Sequence, residues 1–172
     1  HTYMHVACAF HTREEEYLYE IKPKNCKEPI GAQRFPLWNH LEGEMQAMDL
    51  SRQILEGEPY PVKALFAMGL NARMFPDSGA MFRALEALDF YVDTDLFLTD
   101  SAKYADLVLP ACSSFERGEF KPYPGGLAWY TSPAIQPLGQ AKSDVTILTE
   151  LANRMDLPDE MLKAGYEAFI QK

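Results

Sequence analysis

The chain has 172 residues, 47 % of them hydrophobic and 24 % charged, with a formal net charge of −9. That is enough chain for one domain with a real core and too little for two, and the acidic balance excludes a nucleic-acid role built on phosphate neutralisation. No apolar stretch approaches the length of a membrane span, and the three cysteines, Cys8, Cys26 and Cys112, form neither a Cys-x-x-Cys pair nor a disulfide framework. The chain begins His1-Thr2-Tyr3 and shows no signal-peptide pattern. That start points to a piece of a longer polypeptide or a trimmed chain.

In chain order, residues 1–36 read as an irregular segment packed on the domain that follows. Val6 to Phe10 suggests a short strand, Glu14, Glu15 and Glu16 a solvated face, and Ile21 to Pro36 a loop broken by prolines. His1, His5 and His11 lack metal-ligand spacing. Residues 37–172 read as one α/β domain. Leu37 to Glu56 has helical periodicity through Leu37, Leu41, Met45, Met48 and Ile54, with a break near Asp49 or Ser51 and the two methionines as core filler. Gly57 to Pro61 stops that helix. Val62 to Met68 is an apolar run suited to a strand covered on both faces.

Gly69, Leu70 and Asn71 follow at once. Glycine permits a positive φ or close backbone approach by a ligand, and the Asn71 amide can donate and accept. A plain strand-to-helix turn explains the same residues. Asp77 or Ser78 caps a helix to about Leu88, with Met81, Phe82, Leu85 and Leu88 on its apolar face. Phe90 to Thr94 reads as a second strand followed by Asp95. Thr99 caps a short helical turn, and Leu107 to Leu109 forms a third strand ended by Pro110. Asp106 reads as structural, holding the turn into that strand through backbone N–H groups. Leu127 to Thr131 suggests an edge strand, and Ile135 to Gln140 a loop. Ser143 caps a helix with Asp144 in its first turn and a stripe of Val145, Leu148, Leu151, Ala152 and Met155. Pro158 opens a last helix carrying Met161, Leu162, Tyr166, Phe169 and Ile170.

Strand, acid, short helix, buried strand and proline is the grammar of an open α/β sheet, whose ligands sit at the carboxyl ends of the strands. Asp95, Thr99 and the run Tyr104-Ala105-Asp106-Leu107-Val108-Leu109-Pro110-Ala111 together resemble the central region of the molybdopterin oxidoreductases. These are the dimethyl sulfoxide reductase, formate dehydrogenase and nitrate reductase relatives. The resemblance runs from about Tyr60 to Met155. Phe35 to Gly57 and the Pro124-Gly125-Gly126 loop with Trp129 and Tyr130 look like the thiosulfate or polysulfide reductase branch.

The resemblance implies a Rossmann-like three-layer domain with a mostly parallel sheet flanked by helices. It implies a molybdopterin guanine dinucleotide cofactor with molybdenum or tungsten in a larger parent subunit. Gly69, Asn71, Thr94, Asp95, Arg117 and Asp144 would then be cofactor-binding residues. Asp95 can accept two parallel hydrogen bonds from a guanine edge or a ribose diol, or simply cap the next turn. Arg117 stands where some members have a lysine, which keeps charge and changes geometry. Asp144 serves equally as a first-turn helix acid. No residue here is assigned as catalytic or as a metal ligand, so the chain by itself is expected to be inactive. The implied partners are the remaining domains of the parent, an iron–sulfur electron-transfer subunit and a membrane anchor subunit. An iron–sulfur cluster would lie in the parent, outside this chain. The parent would work on the cytoplasmic or periplasmic face of a membrane. The competing reading is a stand-alone α/β nucleotide-binding or sensor domain without redox chemistry.

Overall fold

The computed structural model describes residues 31–42, 45–58, 60–123 and 127–170. The strand read at Val6 to Phe10, the acidic run at Glu14 to Glu16, the three leading histidines, Cys8, Cys26 and the Pro124-Gly125-Gly126 loop lie outside the described residues.

The centre is a three-stranded parallel sheet in the order β1 (Ala64–Met68), β2 (Phe90–Asp95), β3 (Leu107–Pro110). Met68 pairs with Thr94 and Thr94 with Leu109, so all three carboxyl ends lie along one edge. Parallel neighbours need a crossover, and here helix α3 (Ser78–Glu86) supplies the one between β1 and β2. Asp77 caps α3 as its sequence indicates, its Oδ1 accepting from the Ala80 N–H at 2.7 Å. Met81, Ala84 and Leu85 of α3 are buried, and they form one core with Leu50 and Ile54 of α2 (Leu50–Glu56), Ala67 of β1 and Tyr91 of β2. The α/β class expected from the alternation of strands and helices is therefore the class observed.

The segment from Leu37 breaks near Asp49, as its sequence indicates, into α1 (Pro36–Glu42), a 3₁₀ turn at Ala47–Asp49 and α2. Several other local readings need correction. Leu37 and Leu41 are largely exposed, at 70 % and 65 %, and Met45 and Met48 are also exposed, so of the five apolar residues in that period Ile54 alone reaches the core. Burial in this stretch falls on Leu50, Ser51, Gln53 and Ile54 of α2 and on Asp49, whose carboxylate is 2 % exposed and pairs with Arg34 and with Arg52 at 2.8 Å. Gly57 ends α2 in a left-handed conformation, φ 71°. Pro110 is the last residue of β3, as its sequence indicates. It pairs with Asp95, where its missing N–H costs nothing in the ladder, and its carbonyl accepts from Lys142 N–H at 3.1 Å. Ala111 continues in a parallel bridge to Lys142. Leu127–Thr131 (β5) is a strand, but it pairs with β4 (Glu119–Tyr123) in an antiparallel hairpin separate from the main sheet.

Helix α4 (Asp144–Arg154) starts where Ser143 predicts, with Ser143 Oγ accepting from Thr146 N–H at 3.2 Å. Its buried positions are Ile147 and Ala152, while Val145, Leu148, Leu151 and Met155 stay exposed. The stripe is thus rotated from the one read in sequence. The last helix, α5 (Glu160–Ile170), is capped by Asp159, which accepts from Leu162 N–H at 2.9 Å, and kinks at Gly165.

Asp49 gives a test of the amino-terminal part of this fold. Its hydrogen bonds with Arg52, then the charges of Arg52 and Arg34, hold its carboxyl below the usual carboxylate range against the opposing effect of burial. A carboxylate so depressed contributes stability above its unfolded-state pKa and loses it as pH falls through the folded one. Asp49→Asn should lower the unfolding free energy by about 2 kcal/mol at neutral pH. Denaturant titrations repeated down through the acid range should show that deficit shrinking.

Candidate functional site

The carboxyl edge of the sheet gathers the residues singled out in the sequence. Gly69 leaves β1 with φ +64°, and its N–H donates to the Thr94 carbonyl at 2.8 Å. A side chain at that φ would be strained, yet no atom lies within 4 Å of where a Cβ would stand. The backbone here is open to close approach. Asn71 is exposed and heads the 3₁₀ turn Ala72–Met74, its Oδ1 accepting from Arg73 N–H at 3.1 Å. Its amide nitrogen has no protein partner among the described residues.

Along β2 the side chains alternate in direction. Tyr91, Asp93 and Asp95 share one face, and Val92 and Thr94 the other. Thr94 is 1 % exposed, so its contribution to this edge is its carbonyl, and its hydroxyl is buried without a partner. Asp95, at the strand end, is half-buried. Its Oδ1 accepts from Leu96 N–H at 2.6 Å, the turn-capping bond that its position allows. Its second oxygen has no protein partner among the described residues.

Arg117 and Asp144 meet each other. Arg117 Nη1 donates to Asp144 Oδ2 at 3.2 Å, and Nη2 to Glu119 Oε1 at 2.8 Å. The pair ties the chain entering β4 to the first turn of α4, beyond the Ala111–Lys142 bridge that prolongs β3. Asp144 thus fills the helix-start role and carries an arginine besides. Cys112 beside them is buried, and burial first, then the Glu116 charge, raises its thiol pKa. Glu116 accepts from Ser113 N–H, Ser113 Oγ–H and Leu138 N–H, a closed structural knot.

Sequence reading missed three residues at this edge. Ser101 is buried and accepts the Ala72 N–H at 2.9 Å, pinning the loop after β1 to the loop after β2. Arg73 donates to Asp100 Oδ2 through Nε at 2.8 Å, and Lys103 to Asp100 Oδ1 at 2.9 Å, which holds the Asp100 pKa at about 2. Asp93 is fully buried inside an otherwise strand-like run. The polar residue within an apolar strand was the available signal for Asp93, and the Thr99-Asp100-Ser101 cap for Ser101. Asp106 is structural as read, but across the sheet: its Oδ2 accepts Tyr91 N–H at 2.7 Å and its N–H donates to the Tyr91 carbonyl at 2.8 Å. No group of three or more His, Cys, Asp and Glu side chains suited to a metal ion occurs among the described residues.

Residues 36–154 match the family model described as Molybdopterin oxidoreductase. The chain belongs to the molybdopterin oxidoreductase family. It is similar to "Probable oxidoreductase YoaE" of Bacillus subtilis, at 37 % identity over 72 % of this chain and 18 % of that protein. It is similar to dopamine dehydroxylase of Eggerthella lenta, at 32 % identity over 76 % of this chain and 13 % of that one. Among solved structures, acetylene hydratase from Pelobacter acetylenicus superposes with a TM-score of 0.67 at 27 % identity, over 81 % of this chain and 23 % of that one. The chain therefore spans less than a quarter of the length of each of these relatives. Molybdopterin oxidoreductases are named for their cofactor. The edge described above presents an open glycine backbone, an amide donor, and a carboxylate with an oxygen to spare.

Ser101 makes the edge testable. Ser101→Ala leaves the buried Ala72 N–H without an acceptor and should cost about 1–3 kcal/mol. Chemical denaturation would measure it.

Proposed function

We propose that this chain is the cofactor-arm domain of a larger molybdenum or tungsten oxidoreductase. It binds one guanosine arm of a molybdopterin guanine dinucleotide and has no activity alone. The observation that carries the proposal is the juxtaposition at the ends of β1 and β2. Gly69 turns there with open space over its α-carbon, and Asn71 and Asp95 stand beside it with unspent hydrogen-bonding capacity. Backbone at Gly69 would lie against the ligand. The Asn71 amide would donate, and the Asp95 carboxylate would accept from paired N–H or O–H donors. Arg117 would bring its charge to the phosphates while holding Asp144. When bound, the cofactor supplies two-electron or oxygen-atom transfer at its metal. This chain's residues bind and orient it.

Membership of the family, and relatives named as oxidoreductases, support this reading. So do relatives named as alpha or catalytic subunits, which favour further subunits. An iron–sulfur partner, a membrane anchor and work at a cytoplasmic or periplasmic membrane face are further parts of the proposal.

The test is on the complete native polypeptide. Its molybdenum and tungsten content would be measured together with the guanine nucleotide released by acid hydrolysis. About one metal and a guanine nucleotide in step with it are expected. Asp95→Ala should lower both severalfold while leaving the melting temperature within a few degrees. A native protein free of metal and guanine nucleotide would overturn the proposal.

A further inference from the structure

The three strands of the parallel sheet step in one direction, β1 to β2 to β3. Right-handed crossovers between strands that step the same way all fall on one face of the sheet. The connections here obey that rule. α3, between β1 and β2, buries Met81, Ala84 and Leu85 in one core with Ala67 and Tyr91. The turn Ala102–Tyr104, between β2 and β3, lies beside α3, with the Tyr104 ring 5.3 Å from that of Phe82. α2 joins the same core through Leu50 and Ile54.

The opposite face receives none of these connections. Register and strand alternation place Phe66, Met68, Phe90, Val92, Thr94 and Leu107 on it. Thr94 is the one polar side chain of the six. Val92 and Thr94, on the central strand, are buried, but Phe66, Met68, Phe90 and Leu107 stay 38–48 % exposed. None of the six belongs to the core built with α2 and α3. Parallel sheets occur almost only with both faces covered. Large apolar side chains turned outward from all three strands are one half of such a cover.

We infer that this face is the docking surface for an apolar helical layer that the same longer polypeptide supplies from outside residues 1–172. The six side chains carry no charge, so the chain that covers them is apolar there too. Helices fit because helices are what cover the faces of a parallel sheet. Handedness requires that they come from chain before or after these three strands. The described chain enters at Gly31, which packs against Phe35, Gln46 and Asp49 ahead of α2, on the side already covered. It leaves through α5, which packs on α4. The family relatives extend far beyond the region they share with this chain, so one polypeptide has the length to supply the layer. A longer parent is part of the function proposed above, and the docking surface rests on it.

The test is run on the complete native polypeptide. Hydroxyl radicals label exposed side chains, and p-benzoylphenylalanine in place of Phe66 or Phe90 captures on irradiation whatever lies against it. Phe90 stands at the amino end of β2, away from the carboxyl edge, so a ligand at that edge does not shield it. Labelling of Phe66 and Phe90 should be severalfold slower in the native protein than in urea, close to that of buried Tyr91. Both probes should crosslink to peptides of the same polypeptide outside residues 1–172. Labelling near the unfolded rate would leave the face open and overturn the inference. Crosslinks confined to residues 1–30, to a second copy or to another subunit would overturn it as well. The labelling needs no substitution, so it decides the matter even where a substituted protein does not accumulate. Metal and guanine nucleotide measured on the same preparation keep the two readings apart. Cofactor present with the face open sinks the docking alone, and crosslinks in place without cofactor sink the proposed function alone.

Discussion

The hydrogen bond from Gly69 N–H to the Thr94 carbonyl is the constraint on which the edge of this domain depends. It extends the β1–β2 ladder by one rung past the last residue of β1. That rung requires the chain to turn immediately afterwards, and the positive φ of Gly69 makes the turn. Everything downstream inherits its position. Asn71 begins its 3₁₀ turn two residues later, Arg73 reaches Asp100, and Ala72 reaches Ser101. A residue with a side chain at position 69 would meet no steric neighbour, so the requirement for glycine lies in the backbone angle rather than in crowding.

What was legible in the sequence follows from which interactions are local. Caps are local: Asp77, Thr99 and Ser143 each accept a backbone N–H three residues on. Strands β1 to β3 were legible because a short apolar run bounded by glycine, proline and acids has few alternatives. Helix faces were legible only in part: Met81 and Leu85 of α3 are buried and Phe82 and Leu88 pack against the core, as read. An apolar residue repeats at helical spacing whether the facing surface belongs to this domain or to something else, so Leu37, Leu41, Leu148 and Leu151 read as core and stand exposed. The partners of β4 and β5 were illegible for another reason. The register of an antiparallel pair joins backbone positions that no local sequence signal marks, and a proline such as Pro122 is uncommon inside a strand.

The buried polar groups divide by how they are satisfied. Asp49 has two arginines and Glu116 has three donors, so each fastens a junction between segments distant in sequence. Gln53 is satisfied only in part, donating to the Tyr60 carbonyl while its Oε1 lacks a partner. Asp93, Tyr91 and Thr94 are clustered on one strand with incomplete partners. A buried polar group left unpaired costs about 1–3 kcal/mol. Tyr91 and Asp93 lie on one face of β2 and Thr94 on the other, so the strand carries unpaired buried polar groups on both sides.

The same accounting of hydrogen bonds separates the candidate contacts at the carboxyl edge. Asp144 already engages Arg117, and Arg117 divides its donors between Asp144 and Glu119. A ligand seeking either must compete with, or join, an existing ion pair. Asn71 and Asp95 have each given one oxygen to a backbone N–H and no more. Those two local bonds orient the side chains without exhausting them. Capacity for a new polar partner therefore concentrates between β1 and β2, beside the open backbone of Gly69. The Arg117–Asp144 pair contributes mainly by fixing α4 and the hairpin at the far side of the same edge.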